Sequence, residues 1–461
     1  MSIDPAVVEA TIRRLLADMT VPSHESDGVF ETMDAAVEAA SRGAKEYLTR
    51  SMADRRRYVA AIREAMLDEA NLDHMATEAV RQTGMGDVGH KYLKNKAAAE
   101  LTPGVDDLIT EAWSGDEGLT TVEYSPYGVI GAITPTTNPT ETIICNSIGM
   151  LAAGNAVVFS PHPRARDLSL WQVRTLNRAL RSVGAPENLI VTVCEPSIEN
   201  TSAMMQHPAV RMLVATGGPG IVKTVLSSGK KAIGAGAGNP PVVVDATADI
   251  DHAAKCIVDG ASFDNNLPCT SEKEIVAVDA VADLLKFAMT KHGAYELSPG
   301  QVAQLEKVIL GEHGPATEWV GKPARLILEA IGIEAPVGVR LLVAELDKDH
   351  PFVQHELMMP VIGLVRSPDV DAVIDLACQL EHGNRHTAIM HSRDVSKLTR
   401  MGRLIQTTIF VKNGPSFTGI GIGGEGYCTF TIAGPTGEGL TCARHFARRR
   451  RCVLVGDLNI R

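Results

Sequence analysis

The 461-residue sequence has no apolar run approaching the roughly 20 residues that a membrane-spanning helix needs. Charges interrupt the apolar residues of its first segment, so nothing there resembles a secretory signal. The eight cysteines form no paired CxxC pattern, which argues against a zinc site and a disulfide framework. We therefore expect reduced, cytoplasmic thiols, no bound metal and no membrane partner.

Aromatic residues are scarce at 4%, whereas the 45% hydrophobic and 21% charged residues are ordinary for a soluble enzyme. A net charge of −11 argues against a general nucleic-acid binder. The one local exception, Arg448–Arg451, precedes the strand-like run Cys452–Val455 and is interpreted as the charged flank of a strand. The length predicts two or three domains.

Strands alternate with helices across residues 128–245, which favours a doubly wound parallel sheet. The strand-to-loop units are Gly128–Pro135, Asn155–Pro163 and Arg211–Gly220, and a helix is predicted over Ile221–Ser227. Small residues in the third unit would let a phosphate approach backbone N–H groups at the helix start. This turn lacks the G-x-G-x-x-G spacing and would be a weak motif by itself.

Cys269 is the candidate nucleophile. It lies in the stretch 263–273, between a helix-like run over Asp249–Gly260 and the predicted strand Glu274–Val278. A thiol in such a turn, with amide side chains and backbone N–H groups nearby, suits formation of a covalent acyl intermediate. The alternative is that this cysteine only fills space.

The motif Asn265–Cys269, followed by Ser271–Lys273, resembles the catalytic cysteine loop of CoA-acylating aldehyde dehydrogenases. The similarity is greatest to the propionaldehyde and acetaldehyde dehydrogenases of bacterial microcompartments, and it runs from about Phe30 to the C-terminus. It implies an α/β aldehyde dehydrogenase fold with a Rossmann-like cofactor domain, an α/β catalytic domain and a β oligomerisation extension. A homodimer or homotetramer is expected.

The resemblance also implies domain boundaries. They are an amphipathic encapsulation peptide (1–20), a linker (21–29), a cofactor-binding domain (30–110 and 128–238), a catalytic domain (239–440) and oligomerisation segments (111–127 and 441–461).

Residues 1–20 are predicted to form an amphipathic helix that Asp4 caps and Pro5 begins. The polar, breaker-rich stretch 21–28 follows as a tether. This arrangement resembles the encapsulation peptides that carry enzymes into microcompartments, and it implies a shell protein as partner and a location inside a bacterial microcompartment. The alternative is a helix packed on its own domain.

The resemblance assigns roles to individual residues. Asn138 would hold the oxyanion together with the Cys269 backbone N–H, although Asn138-Pro139 could also merely start a turn. His386 would lie near the pocket, in either a structural or a catalytic role. The residues expected to bind NAD are Thr134, Pro135, Ser160, His162, Pro163, Thr216, Gly217, Gly218, Gly236 and Glu356, the last holding the nicotinamide ribose.

Two departures from hydrolytic aldehyde dehydrogenases affect the interpretation. Those enzymes usually have lysine and glutamate where Ser160 and Pro163 stand, which leaves the choice between NAD and NADP open. They also have a general-base glutamate at the position that matches Gly234, whereas no acid lies between Lys231 and Pro241. Water needs such a base, but the CoA thiol is partly ionised near neutral pH.

The expected reaction is therefore oxidation of a short-chain aldehyde, propionaldehyde or next acetaldehyde, to acyl-CoA with reduction of NAD. An acid from elsewhere in the fold could still reach the site. The alternatives are a hydrolytic aldehyde dehydrogenase that gives free acid and a non-catalytic, microcompartment-associated cofactor-binding protein.

Overall fold

The computed structural model describes residues 27–312 and 314–460. The predicted encapsulation peptide and most of the predicted linker lie outside the described residues. After a short strand, β1 (Val29–Phe30), the chain forms four helices, as its alanine- and charge-rich pattern predicts. They are α1 (Met33–Tyr47), α2 (Met52–Leu67), α3 (Glu69–Thr83) and α4 (Val88–Leu101). Each begins at a side chain that accepts a backbone N–H bond, respectively Thr32, Ser51, Asp68 and Asp87.

A six-stranded parallel sheet forms the first layer of the fold. Its strands in spatial order are β1, β6 (Ile190–Val193), β5 (Ala156–Ser160), β4 (Val129–Ile133), β7 (Val210–Thr216) and β8 (Lys231–Ala235). The helices that follow its strands are α5 (Pro139–Ala152), α6 (Arg166–Ser182), α7 (Ile198–Gln206) and α8 (Pro219–Leu226). The strand order reverses beside β4, so the predicted doubly wound sheet is confirmed.

A seven-stranded parallel sheet forms the second layer. Its strands in spatial order are β11 (Ala294–Glu296), β14 (Leu341–Glu345), β15 (Val361–Ser367), β10 (Glu274–Val278), β9 (Pro241–Val244), β16 (Thr387–His391) and β17 (Ile409–Lys412). Its helices are α9 (Ile250–Ser262), α10 (Asp279–Lys291), α11 (Pro299–Ile309), α12 (Ala324–Glu329), α13 (Pro351–Gln354), α14 (Val370–Leu380) and α15 (Val395–Ile405).

A three-stranded antiparallel sheet pairs β2 (Glu111–Gly115) and β3 (Gly118–Pro126) with β20 (Ala447–Val455). The two segments predicted to build a subunit interface are thus hydrogen-bonded to each other. Val453, Leu454 and Val455 are exposed on this sheet. Two hairpins, β12–β13 (Leu310–Gly311 and Gly314–Pro315) and β18–β19 (Ile432–Ala433 and Gly439–Leu440), complete the described strands.

Helix α5 begins earlier than the apolar pattern predicts. The apolar run predicts a helix over Ile143–Leu151, but the helix starts at Pro139, with Asn138 as its N-cap residue. Proline is favoured at the first helical position because its missing N–H would have no intrahelical partner there. All fourteen residues of α5 are buried, including polar ones, which hid the beginning of the helix from an argument based on periodicity.

No helix within residues 27–312 and 314–460 combines the length and the apolar character that crossing a membrane requires. The same residues contain no group of three or more histidine, cysteine or acidic side chains arranged to hold a metal ion.

Candidate active site

Cys269 faces a cavity of about 720 Å³ between the two parallel sheets. The loop that carries it leaves the end of α9, passes through a 3-10 turn at Phe263–Asn266, and enters the buried strand β10. Cys269 is partly exposed, whereas Pro268 and Thr270 on either side are buried. The loop therefore presents the thiol to the cavity from a fixed frame.

The backbone before Cys269 adopts an unusual conformation. Asp264, Asn265 and Asn266 have φ angles of 50°, 54° and 64°, in the left-handed region that Asn and Asp tolerate best. The Asn265 amide donates to the carbonyls of Gly86 and Gly321 at 3.0 and 2.9 Å. The Asn266 amide donates to two further backbone carbonyls at 2.8 and 2.9 Å. These bonds hold the strained backbone in place and fix the orientation of the loop before Cys269.

The cavity collects the residues that sequence analysis proposed for the site. Asn138 and the residues expected to bind NAD, except Glu356, lie at or just after the carboxyl ends of β4, β5, β7 and β8, where parallel α/β sheets bind their ligands. Cys269, Glu356 and His386 come from loops that precede strands of the second sheet. The proposed residues that line the cavity are Thr134, Pro135, Asn138, Ser160, His162, Pro163, Thr216, Gly217, Gly218, Gly236, Cys269, Glu356 and His386. Their individual roles remain predictions, but the structure brings all of them to one cavity.

Asn138 lies at the start of α5 with its side chain held from one side. Its Oδ1 accepts a hydrogen bond of 2.5 Å from the ammonium of Lys94. Its Nδ2 has a long contact of 3.4 Å to Thr137 Oγ1. One N–H of Nδ2 is engaged in this weak bond, and the other is left to donate, as an oxyanion donor requires.

The surroundings of Cys269 disfavour its thiolate. Burial, together with the carboxylate of Glu356 and against the opposing effect of the Lys273 ammonium, raises the pKa of the Cys269 thiol to about 12. Burial also raises the pKa of Glu356 to about 7, against the opposing effect of Lys273. Lys273 Nζ lies 3.9 Å from Glu356 Oε1 and donates to Asn266 Oδ1 at 2.7 Å. A positive charge brought near the thiol would therefore activate it.

His386 lines the cavity and has an unpartnered ring nitrogen. Its Nδ1 is 2.8 Å from Thr387 Oγ1, while its buried Nε2 has no hydrogen-bond partner. Burial lowers the pKa of His386 to about 4, with a contribution from the Lys273 ammonium. The ring is therefore neutral near pH 7, and Nε2 can accept a proton if the hydroxyl of Thr387 accepts the Nδ1 hydrogen.

The side of the cavity formed at the ends of β4, β5, β7 and β8 fits a dinucleotide. A Cβ atom built at Gly218 or Gly236 meets nothing within 4 Å, so both positions leave room at the wall. Gly218 is the N-cap of α8 and has no side chain to occupy the first N–H groups of that helix. Thr134 Oγ1 is buried beside the cavity without a partner. Ser160 Oγ is fixed 2.7 Å from Thr201 Oγ1.

Gly234 is not among the residues that line this cavity. It lies within β8, and a Cβ atom built on it would come within 2.8 Å of Val222 Cγ1 on α8. The open position is Gly236, two residues later and just after the strand. The Cβ of a glutamate at position 234 would thus point toward α8. Among the described residues that line the cavity, the acidic one is Glu356.

Sequence analysis missed several residues of the site. Lys91 and Lys94 on α4 are completely buried and contact the loop that carries Cys269 through Asp264. They stand at i and i+3 on one helix face with Ala98 at i+7, but this spacing does not distinguish buried lysines from solvated ones. Thr201 on α7 was also missed. The apolar side chains that line the cavity were not predicted either, and they include Leu267, Met358, Phe430 and Ile432.

Comparison with known proteins agrees with this architecture. A model of the aldehyde dehydrogenase family matches residues 19–310. This chain belongs to the aldehyde dehydrogenase family, and the predicted fold is confirmed. Propanal dehydrogenase (CoA-propanoylating) of Citrobacter freundii is 48% identical to it over 98% of this chain and 99% of that protein.

Two solved structures are similar over most of the chain. Propionaldehyde dehydrogenase of Rhodopseudomonas palustris, solved with bound CoA and an acylated cysteine, is 64% identical, with a TM-score of 0.93 over 95% of this chain and 100% of that one. A propionaldehyde dehydrogenase from the fucose utilisation microcompartment of Clostridium phytofermentans is 50% identical, with a TM-score of 0.92 over 94% of this chain and 100% of that one.

Proposed function

We propose that this protein oxidises a short-chain aldehyde to its CoA thioester, with propionaldehyde as the preferred substrate and NAD as the oxidant. The observation that carries the proposal is a cysteine and an amide donor facing one cavity. Similarity to a CoA-propanoylating dehydrogenase over 98% of the chain supports the substrate class. The apolar wall formed by Leu267, Met358, Phe430 and Ile432 suits a short aliphatic chain.

Cys269 is the nucleophile in this mechanism. Its thiol gives up a proton to solvent water, and the resulting thiolate attacks the aldehyde carbon to give a thiohemiacetal whose oxygen carries the negative charge. Asn138 Nδ2 and the Cys269 backbone N–H donate to that oxygen, so the charge develops beside preorganised donors. Loss of hydride from the former aldehyde carbon leaves a thioester on Cys269.

The residues at the ends of β4, β5, β7 and β8 would hold the dinucleotide. Gly217 and Gly218 offer the start of α8 to its phosphates, and Glu356 would hold the nicotinamide ribose. When bound, NAD supplies the hydride acceptor and a positive ring that favours the Cys269 thiolate. No lysine or arginine occurs among the described residues that line the cavity, which favours NAD over the additional phosphate of NADP.

CoA is the proposed acceptor of the acyl group. Its thiol ionises more readily than water and needs less help from a base. His386 Nε2 is a neutral, unpartnered acceptor at the cavity and would take the thiol proton as the thioester is attacked. The thiolate of Cys269 leaves, and acyl-CoA is released.

The direct test is product analysis with propionaldehyde and acetaldehyde, with and without CoA. We expect acyl-CoA and NADH in equal amounts, a higher kcat/KM for propionaldehyde and a higher kcat/KM for NAD than for NADP. Cys269→Ala is the matched inactive control, because a methyl group cannot form the thiohemiacetal. Release of free acid as the main product would contradict the proposal.

We also propose that residues 1–20 recruit the enzyme to a shell protein of a bacterial microcompartment. The support is the amphipathic sequence pattern and similarity to an enzyme from such a compartment. Fusion of residues 1–20 to a fluorescent protein should bring it into a compatible shell, whereas a fusion of residues 30–50 should not. Diffuse fluorescence from both fusions would refute this role.

The sheet formed by β2, β3 and β20 is the proposed subunit interface of a homodimer or homotetramer. Its exposed apolar residues Val453, Leu454 and Val455 would be covered by a second copy. Val453→Asp should reduce the molar mass measured by light scattering. An unchanged mass would argue against this interface.

A further inference from the structure

Lys94 is buried at the centre of a polar cluster behind the cavity. Its Nζ lies 2.5 Å from Asn138 Oδ1, 2.6 Å from Asp264 Oδ2 and 3.0 Å from Glu141 Oε1. The contact to Asn138 is a hydrogen bond and the other two are ion pairs, so the ammonium is surrounded by three oxygen atoms. Burial acts to lower the pKa of Lys94, but the two carboxylates outweigh it and hold that pKa above its ordinary value. The group is therefore charged.

This cation determines which way the Asn138 amide points. With Oδ1 toward Lys94, the amide accepts a charge-assisted hydrogen bond and Nδ2 is left for the cavity. The flipped amide would place its own N–H groups against the ammonium, donor against donor, and would turn Oδ1 toward the developing oxyanion. Lys94 thus excludes the orientation of the Asn138 amide in which Oδ1 would face and repel the negatively charged oxygen of the substrate. Its charge also polarises the amide and strengthens Nδ2 as a donor.

The same cation connects Asn138 to the loop of the nucleophile. Asp264 stands five positions before Cys269, in the left-handed part of the turn. Its Oδ2 meets Lys94, and its Oδ1 accepts the backbone N–H of Asp87 at 2.8 Å. Lys91, 3.1 Å from Asp264 Oδ2, completes a cluster of two ammonium groups and two carboxylates. One side chain therefore sets the spacing between the thiol loop and the oxyanion donor.

We propose that Lys94 is a positioning residue for the oxidation step, acting through Asn138. The inference rests on the proposed role of Asn138 as an oxyanion donor. Lys94 touches neither aldehyde nor cofactor in this scheme. Its contribution lies in the transition state, where the oxygen is negative, so its loss should lower kcat and leave KM for the aldehyde and binding of NAD nearly unchanged.

The test is a double-mutant cycle in a Glu141→Gln background. Removing Lys94 alone would leave the buried carboxylate of Glu141 without its counter-charge. In the double variant Lys94→Met with Glu141→Gln, the charges that remain are Lys91 and Asp264, which neutralise each other. In this background, Lys94→Met should slow NADH formation roughly 10–100-fold, a part of what loss of a whole oxyanion donor costs. Added to Asn138→Ala, it should slow the reaction less than about threefold, because the group it acts on is gone.

The control is Lys96→Met, which removes an exposed lysine from the same helix and should leave the rate unchanged. Additive losses from Lys94→Met and Asn138→Ala would refute the positioning role of Lys94 and leave the proposed role of Asn138 intact. A near-normal rate of Asn138→Ala would refute the role of Asn138 and the inference with it. Circular dichroism checks the fold of every variant. If Lys94→Met and Lys94→Gln both unfold in the neutralised background, Lys94 belongs to the fold and the positioning role is overturned.

Discussion

Glu356 and Lys273 face each other across 3.9 Å beside Cys269, and they act on its thiol in opposite directions. The carboxylate of Glu356 raises the pKa of the thiol, and the ammonium of Lys273 lowers it. Glu356 has a raised pKa of about 7. Its negative charge is therefore present above that pH and largely absent below it, which makes the reactivity of Cys269 depend on Glu356 in a defined pH range.

Glu356→Gln should make Cys269 easier to alkylate in alkaline solution. Removal of the negative charge lowers the thiol pKa, so the thiolate fraction at pH 9 rises by up to about tenfold, which corresponds to one pKa unit. At pH 6 Glu356 is already protonated, and the two proteins should react at similar rates. The measurement is iodoacetamide labelling of the Cys269 peptide by mass spectrometry, without cofactor. Equal rates at pH 9 would contradict the proposed effect of Glu356.

Asn138→Ala should lower kcat for NADH formation by roughly 10²–10³, as loss of one oxyanion donor does elsewhere. The aldehyde KM should change little, because the donor acts mainly when the oxygen is negative. Steady-state kinetics with propionaldehyde and CoA measure both quantities, and circular dichroism checks the fold. A rate within about threefold of that of the unmodified enzyme would contradict the oxyanion role and leave Asn138 only the role of a helix N-cap residue.

His386→Asn should separate the two half-reactions. Formation of NADH in the first turnover should persist, whereas CoA-dependent turnover should fall roughly 10²-fold, as expected for loss of a general base. The matched control is His391→Asn, because His391 is also buried with a pKa lowered to about 4 but does not line the cavity. An equal loss in both half-reactions would show that His386 supports the site only structurally.

Two glycines on and just after β8 should respond differently to a single methyl group. Gly234→Ala should destabilise the protein by about 1–3 kcal/mol, because its Cβ would overpack against Val222. Gly236→Ala meets no atom within 4 Å and should leave the melting temperature unchanged while raising KM for NAD. Thermal unfolding and cofactor titration test the pair. The reverse pattern would mean that Gly236, and not Gly234, is packed.

The sequence predicted the chain of elements around the site well. The apolar runs that became β4, β5, β7 and β10 are short and bounded by turn residues, so their strand character and the loops after them could be inferred. Cys269 was found because its loop carries an unusual combination of amides, proline and thiol. The beginning of α5 was less evident, because a fully buried helix such as Pro139–Ala152 shows no polar face.

The buried ion cluster could not be predicted from the sequence. Lys94 lies in a helix rich in alanine and charge, where a lysine is ordinarily solvated. Only the tertiary approach of Asp264 and Glu141 makes its burial tolerable. The direction in which a side chain at position 234 would point could not be predicted for a similar reason, because a matched position in a sequence does not say which neighbour its Cβ would meet.

The central claim is that the acyl group on Cys269 leaves to CoA and not to water, and stopped-flow NADH formation tests it most directly. Without CoA, we predict a burst of about one NADH per active site followed by a slow phase, because Cys269 becomes loaded with the acyl group and water is a far poorer nucleophile than the CoA thiol. Addition of CoA should restore steady turnover with acyl-CoA as product, and Cys269→Ala should show no burst. Rapid, sustained NADH formation with release of free acid in the absence of CoA would contradict the account.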